Sequence, residues 1–210
     1  MRQPGLQAPS SINRLMAKYG VNVPNVAEII WQPIYDYQVC AAAATNTQLF
    51  FQVPQGQAGK TANDTNMTLA GQIPAGQRFL ITGIEIDFTP GVTIGAAAAN
   101  TLFLEDVFDF YRQGNIVLTI GSKPYLTQGP LMKFPPTNRL GGFAAAATGN
   151  AVDQAYTYAL ACGNEFQVRG LVLQSSQDFR VEIQNRLALP STNAGRVGVR
   201  LNGFNIRQAQ

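Results

Sequence analysis

Few side chains in this chain are placed to do chemistry. Glu85 and Asp87 stand two apart, and Glu105, Asp106 and Asp109 form a second acidic cluster. Two carboxylates flanking a glycosidic bond can hydrolyse it, and clustered carboxylates also hold calcium. Residues 85 and 87, however, share one side of a predicted strand, where a wet face explains them equally well. Asp106 and Asp109 fall on the polar flank of a predicted helix. The triplet Gly59-Lys60-Thr61 ends like a phosphate-binding loop, but the position of its first glycine is Pro54, and "ANDTNMTLAGQIP" after it cannot form the helix that would face a phosphate. Cys40 and Cys162 are far apart, in no metal-binding spacing, and read as two buried thiols rather than a disulfide. Tyr111, Tyr125, Tyr156 and Tyr158 offer faces for a sugar, though Trp31 is the one tryptophan.

The chain has no histidine. That removes Ser-His-Asp and Cys-His catalysis, histidine-ligated zinc and the usual general base near neutral pH. No catalytic, cofactor-binding or metal-ligating residue is assigned, no cofactor is expected, and the chain is read as non-enzymatic. No other side chain ordinarily titrates between about pH 5 and 8. Stability and oligomeric state are therefore expected to stay flat from about pH 5.5 to 7.5, and to fall only when paired carboxylates protonate.

Strands supply most of the framework. In the run 78–88, "RFLITGIEIDF", Ile84, Ile86 and Phe88 alternate with Glu85 and Asp87. The run 178–189 alternates Phe179, Val181 and Ile183 with Arg180, Glu182 and Gln184. Residues 47–53, 115–121, 166–174 and 196–208 read as further strands. Within the last, Val197, Val199 and Leu201 are odd-numbered while Phe204 and Ile206 are even, which predicts a β-bulge at Asn202-Gly203. One internal helix is expected over 101–114, with Phe103, Val107, Phe110 and Tyr111 on its apolar face. The stretch 122–142 is rich in turn residues and reads as a surface excursion. Alanine runs at 41–44, 96–99 and 144–147 read as small-residue loops and strand ends. The expected fold is mainly β: an antiparallel β-sandwich, in jelly-roll form, over 32–210.

Residues 1–31 are read as an N-terminal arm. Within it, "SSINRLMAKYG" places Ile12, Leu15, Met16 and Tyr19 on one face of a short amphipathic helix. Arg14 and Lys18 lie off that face, and no acid precedes Glu28. The helix either packs on its own body or docks on a neighbouring subunit. The composition favours docking. Charged residues make up 13% of the 210 residues, against about 25% in an average soluble domain, so little repulsion keeps copies apart. The net charge of +3 is small, and the basic C-terminal strands lack interleaved aromatics, so direct nucleic-acid contact is not expected. No apolar run of about 18 residues is present, so no membrane span is expected.

The phrases "TQLFFQVPQGQ", "KTANDTNMTLAGQIPAGQRFLITGIEIDF" and "LTIGSKPYLTQGPLMKFPP", over roughly 47–136, resemble the jelly-roll virion structural proteins of bacteriophages. The resemblance implies a protein made in the host cytoplasm and carried in the virion, with other capsid subunits as partners. It also implies a homo-oligomer, for which a trimer fits, and no small-molecule substrate. Such proteins work by contact surface, so no site residue transfers. The role implied is a capsid cement or decoration protein, with a major capsid protein as the alternative. From another class, a carbohydrate-binding β-sandwich module is the rival.

Overall fold

The computed structural model describes residues 14, 17, 18, 27–43, 45–91, 103–135, 143–145, 154–156, 165–190 and 193–208. The fold is mainly β, with two large antiparallel sheets. The first contains β1 (Ala27–Trp31), β2 (Ile34–Cys40), β4 (Gln77–Thr89), β9 (Phe166–Leu173) and β11 (Gly195–Gln208). Its order is β1-β11-β4-β9, and β2 also pairs with β11. Strands β1 and β2 therefore lie end to end along β11, opposite Phe204–Gln208 and Gly195–Leu201 respectively. The second sheet runs β3 (Thr45–Phe50), β10 (Phe179–Ala188), β5 (Gly114–Ile120), β6 (Lys123–Gln128). A small hairpin joins β7 (Phe143–Ala145) to β8 (Gln154–Tyr156), and one helix, α1, spans Phe103–Gln113. The large-sheet pairs are nested: β2 with β11, β3 with β10, β4 with β9, β5 with β6.

The expected alternation builds the core. Ile84, Ile86 and Phe88 of β4 meet Val197, Val199 and Leu201 of β11, and these join Phe179, Val181, Ile183, Ile116, Leu118 and Phe50 from the second sheet in one buried cluster. Each such side chain stabilises the fold by about 1.5–3 kcal/mol when fully removed from water. Helix α1 packs Val107, Phe110 and Tyr111 into the same cluster. Phe110 stacks on Phe88 at 4.3 Å, and the Tyr111 hydroxyl donates to the Ile86 carbonyl at 2.7 Å.

The bulge falls where expected but on the other strand. The β11–β4 register shifts between Asn202 and Gly203, and the extra residue is Thr82 of β4. Strand β11 keeps its alternation throughout. Phe204 and Ile206 lie on the face away from the shared core, beside Leu80, and Leu80 and Ile206 are buried there. Apolar side chains are thus buried on both faces at this end of the sheet, which produces the phase change in the sequence. Gly203 is required at the bulge, because a Cβ there would lie 2.0 Å from the Leu80 carbonyl oxygen.

Strands β2 and β6 were not legible in the sequence. Strand β2 turns Asp36 and Gln38 to the same side as its partners Val199 and Val197, so its inward positions are polar. Strand β6 is an edge strand beginning Lys-Pro, with little buried surface on either face. In the segment read as an arm, Arg14, Ala17 and Lys18 are helical and exposed, and Ala27–Trp31 pair with the end of β11. Ile12, Leu15, Met16 and Tyr19 lie outside the described residues, as do Cys162 and the alanine run at 96–99.

Candidate functional sites and surfaces

Lys60 holds the chain together instead of facing a phosphate. Its ammonium pairs with Asp36 Oδ1, and that carboxylate is fully buried. Asp36 Oδ2 accepts the Phe51 backbone N–H at 2.7 Å. Nearby, the Gln38 amide donates to the Leu49 carbonyl and the Gln48 amide to the Val39 carbonyl at 3.3 Å. Three side chains thus stitch β2, at the edge of one sheet, to β3, at the edge of the other. The inward polar residues that hide β2 from the sequence pattern are the ones that close this corner.

Glu85 is not on a wet face. It is 5% exposed, and Asn202 beside it is 7% exposed. The Asn202 amide donates to Glu85 Oε1 at 3.0 Å, and Arg200 Nη1 lies 3.4 Å from Oε2. Arg200 also reaches the Tyr37 hydroxyl at 3.4 Å. Bare backbone makes the room: a Cβ on Gly198 would lie 2.1 Å from the Tyr37 ring, and one on Gly83 would overlap the carboxyl of Glu165. Glu165 therefore joins this cluster, which its sequence position did not reveal. Burial raises its pKa above the ordinary carboxylate value; the Asn202 amide opposes the rise and the Glu85 charge adds to it. The Tyr37 phenol is also raised, first by burial and then by Asp87, against Arg200 and Arg196.

Two carboxyls of this kind carry the chemistry of an acid and a base. Glu85, however, is held by an amide and a guanidinium, and neither it nor Glu165 lines the cleft described below. Asp106 is buried at the start of α1, and Asp109 is half-buried. Among the described residues, no group of three His, Cys, Asp or Glu is arranged to hold a metal ion. The Cys40 thiol is buried and donates to the Leu189 carbonyl at 3.3 Å.

The basic C-terminal strands form ion pairs. Arg196 contacts Asp64 at 2.8 Å and covers the Tyr37 ring at 4.5 Å, and Arg207 contacts Glu28 at 2.6 Å. Thr61 hydrogen bonds, aided by Arg196, lower the Asp64 pKa, and the Arg207 hydrogen bond lowers that of Glu28.

A cleft of about 220 Å³ opens between β4, β11 and the loop at 66–74. No charged side chain lines it. Gln32, Asn66, Gln72, Gln77 and Asn205 supply carboxamides over a floor that includes Met67. Elsewhere, large apolar side chains face solvent: Val39 is 74% exposed, Trp31 56%, Tyr125 51% and Met132 51%. Among the described residues, no helix is long and apolar enough to cross a membrane. No protein-family model matches the chain, and no curated protein matches it.

Proposed function

We propose that this chain is a non-enzymatic structural protein of a phage virion, a capsid cement or decoration protein that stabilises the head through subunit contacts. The nested strand pairing carries the reading. Numbering β2, β3, β4, β5, β6, β9, β10 and β11 from one to eight, the partners are first with eighth, second with seventh, third with sixth and fourth with fifth. A long antiparallel hairpin rolled into two facing sheets would give this order, which supports reading the fold as the jelly roll of two Greek keys found in viral capsid and lectin domains. Fold alone does not fix function. The charge-poor composition and the exposed Trp31, Val39, Tyr125 and Met132 support a surface that meets other subunits. The arm face of Ile12, Leu15, Met16 and Tyr19 is assigned to docking on a neighbour in a homo-oligomer, with a trimer as the simplest closed ring. A major capsid protein of the same fold is the alternative role.

The uncharged, carboxamide-lined cleft favours a second reading, a carbohydrate-binding β-sandwich module, since amides donate and accept as hydroxyls do. Two assays on the full chain separate the readings. Co-sedimentation with purified phage heads and no signal on a glycan array is the expected result. Glycan binding with no association to heads would overturn the virion reading.

A further inference from the structure

The group on the outer face of the first sheet has an arrangement that the assembly reading does not use. Glu165 immediately precedes β9, and its carboxyl sits against the bare backbone of Gly83: a Cβ on that glycine would be 1.4 Å from Glu165 Oε1 and 2.0 Å from Cδ. Oε1 is buried and has no hydrogen-bond partner. A carboxylate oxygen buried without a donor is costly, whereas a protonated carboxyl is a neutral group.

Among the described residues, no cation is paired with Glu165. From β4 come Glu85 and, farther along, Asp87. From β11 come Arg200, which bonds Glu85 and Tyr37, and the neutral Asn202, whose amide donates to Glu85 and also favours the Glu165 carboxylate, opposing the rise; from β2 comes the Tyr37 phenol. Arg196 lies beyond Tyr37 and pairs with Asp64. Arg200 pairs with Glu85, and a negative charge on Glu165 would add repulsion with Glu85. Burial and Glu85 both push its titration upward.

The element that Glu165 fastens has few other ties at this point. Only Gln167 and Phe166 pair with Gly83 and Ile84 before the register breaks, and Val168, Arg169 and Gly170 then stand against the single Thr82. Phe166 also stacks on Phe134 at 4.4 Å.

We propose that Glu165 is a proton-operated latch. As the neutral acid it stays seated over Gly83 and holds the start of β9 on the sheet; on losing its proton to bulk water the carboxylate leaves the seat, and the start of β9 loosens. A chain without histidine thereby has a pH response carried by a carboxyl group.

Hydrogen–deuterium exchange on the full chain tests this, with rates corrected for the intrinsic pH dependence. Between about pH 4 and pH 8, protection of the Phe166 and Gln167 amides should fall, by up to about tenfold per pH unit where one proton is lost on release. Glu165→Gln should keep high protection at every pH, and Glu85→Gln should move the fall to lower pH, because the Glu85 charge that raises the Glu165 titration is then gone; a move to higher pH would count against the latch. Gly83→Ala, which blocks the seat, should give low protection that no longer depends on pH. The proposal is overturned if wild type and Glu165→Gln show the same profile. That comparison stands even where Gly83→Ala fails to fold.

Discussion

Lys60 and Asp36 show how one buried pair is worth more broken than made. Replacing Lys60 by Met leaves the Asp36 carboxylate buried with only the Phe51 N–H and a distant Gln38 amide. The expected loss is about 3–5 kcal/mol, read as a lowered denaturation midpoint. Adding Asp36→Asn should recover part of it, because the two changes act on one interaction. At Val181, fully buried, an aspartate should cost about 3–5 kcal/mol or abolish folding, while Arg180→Asp on the exposed side should stay within about 0.5 kcal/mol. Equal losses in thermal melts would mean that the strand phase is inverted. Glu165 sets the pH behaviour. Its folded pKa is raised, so its contribution is complete below the unfolded carboxyl value and is lost as pH rises through the folded one. Glu165→Gln should therefore melt higher than wild type at neutral pH and alike in acid. Glu28 and Asp64 have the opposite sign: their lowered values give stability above the ordinary carboxylate range that is lost on acidification. Both pairs are solvent-exposed, so that effect is small.

Strand β1 lies within the segment read as an arm and pairs with the end of β11. Removing residues 1–26 leaves β1 on β11, with the Trp31–Phe204 contact at 4.9 Å and the Glu28–Arg207 pair intact. That truncation should keep the full-length melting temperature and lose attachment to the shell. Removing residues 1–31 also strips the edge of β11 beside Phe204 and should lower the melting temperature. Identical attachment of full-length and 27–210 chains would rule out the arm as the docking element. The elements that the sequence made legible, β4, β5, β10, β11 and α1, are those with one dry and one wet side. Strand β2 was hidden because Asp36 and Gln38 face inward to close a corner, a need that exists only once two sheets meet. Glu85 looked solvated because alternation reports side, not cover, and the side chains around it, Asn202, Arg200 and Glu165, come from distant parts of the chain. The bulge was visible as a phase change, but only pairing shows that Thr82 carries it.

At the scale of the molecule, the nested pairing places β2 beside β11 and makes most pairings distant in sequence, a topology expected to fold slowly. The long β11 anchors it, pairing with β4 on one side and with β1 and β2 on the other. Charge scarcity and exposed apolar side chains fit the proposed protein completed by its neighbours. Quantitative mass spectrometry of gradient-purified phage particles tests this most directly. The account predicts the chain in the particle at many copies, in a fixed ratio to the main shell protein. Its absence from particles, or a trace that varies between preparations, would contradict it.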